Sequence, residues 1–484
     1  MDTTAAKQKN IRYYILSIIG VAIMVLFPLL PPISTVTPVG MQILGIYLGL
    51  LFLWSTVDVI WPSFLGILLL GFTDYYTVSG LISAGWGDGT NVYIMLICIF
   101  AYFVTKSGVS DIMVQAIIGL KFAKGKPYII SFLFLSAAYI VGAVVSMTPA
   151  CLIVWALFTK YAKDIGYKKS EAYPVMMIVG IAMAGLMGFS LFPFRVPGSV
   201  LVGMVEATGV TVSFVSYVLT SFCMGFGAIL VYLVLVRFLF RPDVERVKAD
   251  YDFGTHEAMT PYQKQVLGLT VLMIVMFIVQ SAFSSTWIGQ ILTQLGSSGI
   301  VLVLLTVMVF LRRKDGSPFA DILEATKEGV AWPVFYLLTV GMPLTYALAD
   351  ESLGISQMLT DFMTPLFSGK GGLILFVFLT CLLCVVMTNL MLNGTVAMII
   401  YVIAAPFSAS LGIHPGLLAC CIHVASNVSI VLPPANPIAA VMHGMTDWVT
   451  PKDIYKFSIP LAAAIWLIAC VVFLTIGRVL FGAV

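Results

Sequence analysis

The sequence contains few charged residues. Only 10% of its 484 residues are Asp, Glu, Lys or Arg, whereas 60% are hydrophobic, and the mean hydropathy is +1.06. A soluble globule of this size needs far more charge to cover its surface. The net charge is only +3, and the basic residues lack interleaved aromatics, so nothing favours a nucleic-acid partner. The composition therefore predicts a polytopic membrane protein whose partner is the lipid bilayer.

Motifs for catalysis and metal binding are also missing. The chain has no Gly-rich phosphate loop, nucleophile elbow or zinc motif, so it is not expected to be an ATP-driven pump or an enzyme. Eight cysteines lie in apolar runs, and the spacing of Cys381 and Cys384 has no second pair to complete a zinc site. No cofactor is predicted. Sodium or a proton remains open as a coupling ion, with His423 as a candidate proton carrier.

A short polar break is the most informative feature of the chain. Residues 191–199 place Pro193, Arg195 and Pro197 inside an apolar run. Each proline removes a backbone donor and disfavours helix in the residue before it, so a helix from residue 173 cannot continue through this stretch. Inside a membrane such a break must be buried in protein or line a polar cavity. Arg195 is expected to face the interior, where its anionic partner is either a membrane-embedded Asp or an anionic substrate.

Charge bias decides how the apolar segments cross the membrane. Lys and Arg concentrate in cytoplasmic loops. With residues 1–39 as an N-terminal span whose start is cytoplasmic, the bias is best met by eleven spans and two re-entrant hairpins, at residues 128–161 and 373–411. This topology places the C-terminus outside. Of the 25 basic residues, it leaves only Lys370 and Arg478 outside and Arg195 within the membrane.

The two halves of the chain repeat. Residues 105–110 resemble residues 351–356, the hairpin interruption at Ser146 matches that at Asn393, and the break at Pro193 matches that at Pro433. The first hairpin opens inside and the second outside, so the repeats are inverted, as in many secondary transporters. We therefore predict repeats at 40–240 and 266–484, joined by a cytoplasmic linker at 241–265. Their broken helices span 173–206 and 417–441.

This order of hairpin, charged loop and proline-broken helix resembles the divalent anion/sodium symporter (INDY-type) family of the ion transporter superfamily. The resemblance covers about residues 62–457 and is most specific in residues 412–437. It implies a homodimer in the cell membrane that moves dicarboxylates flanked by sodium ions. It also implies that hairpin tips and broken helices bind the substrate, at the residues Ser146, Thr148, Asn393, Thr395 and Asn436. The buried charge of Arg195 adds this residue to the expected site. The backbone at Met147, Pro193, Pro197, Gly394, Pro433 and Pro437 would shape this site.

The tips depart from the family pattern. Met147 stands where the family has Asn, and Asn393 and Gly394 replace Ser and Asn. A thioether is a poor sodium ligand, whereas Arg195 adds a fixed positive charge beside the first tip. We therefore expect the guanidinium to replace one sodium ion. No firm metal site is predicted, although Gly394, Thr395 and Ala435 mark a place where sodium could bind.

The function expected from the sequence is secondary active transport of a small organic anion, most simply a di- or tricarboxylate, by an elevator-like alternating access. Sodium-independent exchange follows from the role given to Arg195. Symport with sodium or protons, or an anion channel, remains as an alternative.

Overall fold

A computed structural model describes residues 3–120, 125–248, 251, 258–283, 285–313, 316–330, 332–355, 357–358, 361, 371–390 and 392–482. Lys121, Lys124, Lys314 and Lys370, which enter the charge bias, lie outside these residues. The described part is helical throughout, apart from one isolated bridge between Arg312 and Pro318, which agrees with the predicted all-α fold.

The helices begin and end as follows. The first half contains α1 (Thr3–Leu26), α2 (Pro38–Thr56), α3 (Ile60–Gly71), α4 (Val78–Trp86), α5 (Gly89–Lys106), α6 (Val109–Ile118), α7 (Pro127–Val144), α8 (Met147–Asp164), α9 (Ala172–Phe189), α10 (Gly198–Glu206) and α11 (Phe214–Val234). The second half contains α12 (Pro261–Ala282), α13 (Trp287–Phe310), α14 (Ile322–Gly329), α15 (Trp332–Ala349), α16 (Gly372–Thr388), α17 (Asn393–Ser410), α18 (Pro415–Ser426), α19 (Pro437–Gly444), α20 (Pro451–Val472) and α21 (Arg478–Phe481).

Several of these helices can cross a membrane. Seven of those described are long and apolar enough, or nine if two bent pairs each count as one span. The other apolar helices are shorter, because breaks divide the runs from which the sequence predicts eleven spans. One such helix is α3, whose twelve residues rise only about 18 Å at 1.5 Å per residue. The structure thus has the predicted class of fold, and the predicted number of spans stays a prediction.

Helices α7 and α8 form a hairpin whose two ends lie on one side. At the start of α7 the Arg237 guanidinium lies 5.3 Å from the centre of the Tyr128 ring. Just beyond α8, the Tyr167 hydroxyl donates a hydrogen bond of 2.7 Å to the Asp243 carbonyl. Both partners follow α11 in the chain, so the segment enters and returns. In the second hairpin, α16 and α17, the rings of Phe376 and Phe407 lie 6.4 Å apart, which joins its two ends in the same way.

Two helices are broken where the prolines predict it. The first broken helix stops at Phe189 and resumes at Gly198, and the second stops at Ser426 and resumes at Pro437. Each entering half packs on its own hairpin, whereas each resumed half crosses over: α10 packs against α17 and α18, and α19 packs against α8 and α9. This reciprocal contact is the arrangement that an inverted repeat requires.

Glycines allow α7 and α9 to pack closely. A Cβ added to Gly188 would lie 2.0 Å from the Tyr139 carbonyl oxygen, and one added to Gly142 would lie 2.4 Å from that of Gly185. Small residues at such crossings let helix backbones approach within the membrane, where packing rather than water exclusion holds helices together.

Contacts between helix ends fall into two groups. One joins Lys106 to Glu324 and Arg246 to Glu171. The other joins Tyr75 to Asp350 and Tyr346 to Asp88. Lys106 ends α5 and Asp88 stands just before its start, so the contacts of these two residues lie at opposite ends of that helix and mark opposite faces. The charge bias predicts that the first face is cytoplasmic.

Candidate functional site

Arg195 lies buried in the break between α9 and α10. Its side chain is only 8% exposed. The guanidinium carbon lies 5.3 Å from the centre of the Phe194 ring and 5.8 Å from that of Phe189. Such contacts between a cation and aromatic faces offset part of the cost of removing the charge from water.

The guanidinium bonds to the tip of the first hairpin. Nη2 donates to the carbonyl oxygens of Ala143, at 3.2 Å, and Val144, at 2.9 Å. These are the last residues of α7, where a helix leaves carbonyls without partners and carries partial negative charge. Among the described residues no carboxylate forms an ion pair with Arg195. The predicted tie to a membrane-embedded acid is therefore not found, because helix-end carbonyls meet the guanidinium instead. Its Nε is buried and has no described partner.

A cavity of about 800 Å³ lies beside this break. Pro193, Phe194 and Ser199 line it beside the break, and this part is called its floor below; Asp88 and Tyr346 line it at helix ends of the second group. The remaining lining comes from the starts of α5 and α11, the ends of α10, α12 and α21, the first half of α13, and His414. Since Asp88 and Tyr346 belong to the second group of helix ends, the cavity opens toward the face that the charge bias predicts to be outside.

The tip of the first hairpin holds the predicted residues only in part. Ser146 caps α8 in an extended conformation and is half-buried, as is Met147. Thr148 is exposed. Neither Ser146 nor Thr148 makes a side-chain hydrogen bond to a described residue, so the contact of this tip with Arg195 runs through the backbone of α7. Among the hydrogen bonds of the described residues, none joins Ser146 or Thr148 to Asn393.

The tip of the second hairpin is tied to the second broken helix by amides. The Asn393 Nδ2 donates to the Asn427 Oδ1 at 2.9 Å, and its Oδ1 accepts from Thr388 at 3.0 Å. Asn436 donates to the Ser429 carbonyl at 2.6 Å and caps α19 by accepting from the Ala439 amide. Thr395 is buried and lines a small, separate cavity with Met204 of α10.

Asn389 is a buried polar residue of this region that the sequence did not single out. Its Nδ2 donates to the carbonyls of Val385 and Val428, at 2.7 and 2.9 Å, and its Oδ1 accepts from the Val431 amide at 2.8 Å. One side-chain amide thus forms hydrogen bonds with the backbone of both the hairpin end and the helix break. An amide in an apolar run, four residues before the predicted tip, is the signal that could have found it.

At the place predicted for sodium, near Thr395 and Ala435, side-chain amides already donate hydrogen bonds to some of the free carbonyls. Ala435 and Thr395 are buried, but the carbonyls freed by the second break bond to the side-chain amides of Asn389 and Asn436. Sodium prefers several hard oxygen ligands, and a carbonyl that accepts from an amide is less available to a cation. Among the described residues no group of three His, Cys, Asp or Glu side chains could hold a metal ion.

His423 and Tyr217 form a second buried pair near this break. The His423 Nδ1 lies 2.6 Å from the Tyr217 hydroxyl, and the ring packs so closely on Gly198 that a Cβ there would lie 2.7 Å from it. The imidazole therefore helps to position the start of α10.

The fold is similar to that of two solved transporters. The YdaH transporter of Alcanivorax borkumensis is 14% identical, with a TM-score of 0.56 over 82% of this chain and 87% of that one. Neisseria gonorrhoeae MtrF, described as one of a class of antimetabolite efflux pumps, is 13% identical, with a TM-score of 0.53 over 82% and 84% of the two chains. No protein-family description and no curated protein matches the sequence. These likenesses show a membrane-transporter fold and do not extend to the divalent anion/sodium symporter family.

Proposed function

We propose that the chain is a secondary active transporter of small organic anions that works by alternating access. The observation that carries this proposal is Arg195: a buried guanidinium in a broken membrane helix, bonded to the tip of a hairpin and lying beside an 800 Å³ cavity. An anion that enters this cavity approaches Arg195, which follows the lining residue Phe194 in the chain. The shared fold with solved transporters agrees with this assignment.

Arg195 also determines which coupling ion we propose. In the first half, the guanidinium occupies the helix-end carbonyls of Ala143 and Val144, which are oxygens of the kind that a sodium ion would use. In the second half, the side-chain amides of Asn389 and Asn436 occupy carbonyls of the broken helix itself, those of Val428 and Ser429. We therefore propose exchange that needs no sodium. We also propose that the chain works as a homodimer in the cell membrane, with its N-terminus in the cytoplasm and its C-terminus outside. Di- and tricarboxylates are the first substrates to test.

Exchange in proteoliposomes tests the proposal. Vesicles loaded with succinate or citrate should take up the labelled anion in a saturable way that internal substrate stimulates, at the same rate with sodium or with choline outside. Flux that rises linearly with concentration and ignores internal substrate would indicate a channel instead. A rate that collapses without sodium would assign the coupling to that ion.

A further inference from the structure

We infer that the floor of the outer cavity binds a single carboxylate, held by Arg195, Ser199 and the N-terminus of α10, and that the wall above it takes an apolar body. This inference rests on the proposed transport of organic anions and narrows its substrate class. It differs from the dicarboxylate expectation, which the sequence motifs alone support.

Two buried donors at the floor have no partner. The Arg195 Nε and the Ser199 Oγ make no hydrogen bond to any described residue, although the side chains are only 8% and 4% exposed. A buried polar atom without a partner costs free energy, so native structures rarely keep one unless a ligand or water completes it. The Ser199 amide bonds to the Arg195 carbonyl at 2.9 Å, which places the two residues one turn apart. Ser199 also lines the cavity.

The N-terminus of α10 adds partial positive charge at the same place. This nine-residue helix begins at Gly198, and no side chain caps its start. An uncapped helix start favours anions, because some amides of its first turn lack acceptors. Here the Ser199 and Leu201 amides bond to the Arg195 and Pro197 carbonyls, which leaves the amides of Gly198 and Val200 without an acceptor among the described residues. A guanidinium, a hydroxyl and these amides together match the acceptor oxygens of one carboxylate.

Phenyl rings form the wall beside this floor. Phe194, Phe214 and Phe277 all line the cavity. Their rings lie nearly parallel, with Phe277 centred 5.7 Å from Phe194 and 5.5 Å from Phe214, at angles of 20° and 19°. A flat or aliphatic group of a ligand can pack on their edges and bury apolar surface.

The charges around the cavity oppose a second negative group. Among the described residues, its lining contains Asp88, Glu206 and His414 and no Lys or Arg, so the fixed positive charge of the inferred site is that of Arg195, next to the lining residue Phe194. Glu206 ends the helix that Gly198 begins, about 12 Å away at the rise of an α-helix. A ligand that reaches up from Arg195 therefore approaches carboxylates, which favours a neutral tail over a second anion.

Calorimetric titration of the purified full chain in detergent micelles tests this inference with three probes. 3-Phenylpropionate should bind, whereas its neutral amide and succinate should each bind about tenfold or more weakly, because one lacks the charge and the other lacks the apolar body. Equal affinity for the acid and its amide would overturn the carboxylate site. Succinate binding more tightly than 3-phenylpropionate would overturn the preference for a single charge.

Variants locate the site. Ser199→Ala should weaken 3-phenylpropionate binding about tenfold to a hundredfold, as expected for a lost hydrogen bond to a charged group. Ser458→Ala is the matched control, because Ser458 is also a buried serine without a described partner but lies on α20, outside the cavity lining. The Ser458→Ala variant should bind 3-phenylpropionate as the unmutated chain does.

Glu206→Gln should raise the affinity for succinate. An unchanged affinity in Ser199→Ala, or no gain in Glu206→Gln, contradicts the inference.

The results also separate this inference from the proposal on which it rests. If succinate binds in an Arg195-dependent way and 3-phenylpropionate does not bind, organic-anion transport stands and the single-carboxylate site falls. If no carboxylate depends on Arg195, both fall together.

Discussion

Arg195 carries a buried guanidinium that backbone carbonyls at the end of α7 hold in place. The cost of a guanidinium in a membrane predicts that it faces the protein interior, and the structure agrees. The same cost predicts an acidic partner, but the structure supplies backbone carbonyls at the end of α7. Carbonyls are present at every residue, so only the path of the chain determines which of them become free at a helix end. The sequence could not identify this partner.

Asp350 gives a prediction about pH. The Tyr75 hydroxyl donates a hydrogen bond of 2.5 Å to its carboxylate, and this bond, together with those from Ser352, holds the pKa of Asp350 below its ordinary value. A carboxyl with a lowered pKa in the folded state stabilises the protein above its unfolded pKa, and the stabilisation is lost as pH falls through the folded pKa. Tyr75→Phe should therefore lower the melting temperature at pH 7.

The difference in melting temperature between Tyr75→Phe and the unmutated chain should shrink as the pH falls below about 4, because Asp350 of the unmutated chain then becomes protonated as well. Tyr76→Phe is a suitable control, because the neighbouring Tyr76 hydroxyl bonds to the Pro343 carbonyl and its bond does not titrate with Asp350. A Tyr75→Phe difference that stays constant from pH 7 to pH 3 would show that the bond to Asp350 does not carry the effect.

Among the elements, the breaks were more predictable than the tips. Proline removes a backbone donor wherever it stands, so the end of α9 just before Pro193 and the start of α19 at Pro437 follow from residue identity, whereas α18 already ends at Ser426, seven residues before Pro433. The direction in which a tip side chain points depends on rotation of the helix that it begins. Hence the sequence predicts the hairpin at Ser146 but not that Thr148, two residues later, is exposed. The joint position of the predicted tip residues in one cavity stays a prediction.

The crossing of α7 and α9 predicts a strong effect of one methyl group. In Gly188→Ala the new Cβ would meet the Tyr139 carbonyl at 2.0 Å, and backbone cannot move aside as a flexible side chain can. Overpacking of this kind costs about 1 to 3 kcal/mol. Gly268→Ala on α12 is the control, because nothing lies within 4 Å of its added Cβ, and alanine favours a helix over glycine.

Thermal unfolding of both variants in one detergent measures this difference. Gly188→Ala should melt well below the unmutated chain, and Gly268→Ala at or slightly above it. Equal melting temperatures for the two variants would mean that α7 and α9 separate at little cost, and that their close contact is not what fixes the first hairpin on the broken helix.

At the scale of the whole molecule, the two halves contact each other reciprocally. Each resumed half of a broken helix packs against elements of the other repeat, α10 against α17 and α18, and α19 against α8 and α9. The sequence predicts the repeats from three matched positions, but it does not predict which helices touch. Such contacts depend on side chains far apart in the chain, including Tyr217 of α11 with His423 of α18.

This arrangement predicts a moving unit. Hairpins and broken helices should shift together against a scaffold formed by the other spans, including α3 and α15. Met398 of α17 and Gly341 of α15 are in contact across that boundary, since a Cβ at Gly341 would lie 3.4 Å from the Met398 Cε. Crosslinking a Gly341→Cys, Met398→Cys pair should stop exchange in proteoliposomes, and reduction should restore it.

A crosslink within the scaffold is the control. Gly66 of α3 lies against Val340 of α15, where the corresponding distance is 3.1 Å, so a Gly66→Cys, Val340→Cys pair should leave exchange intact when it is closed. Full-speed exchange with the Gly341–Met398 crosslink closed would argue against an elevator-like movement.

The central claim is that Arg195 replaces a coupling cation and binds the transported anion. The most direct measurement is the affinity for succinate and for 3-phenylpropionate of purified, monodisperse Arg195→Ala protein, with and without sodium. Loss of one partner from a buried charge pair costs about 2 to 5 kcal/mol, or roughly thirty-fold to several-thousand-fold in affinity. We predict such a loss of affinity for whichever anion the unmutated chain binds. Arg195→Lys should recover part of the affinity, because it keeps the charge without the planar fork. Sodium should not change the affinity of the unmutated chain. Near-unchanged binding by Arg195→Ala, or a steep sodium dependence of the unmutated protein, would contradict the claim.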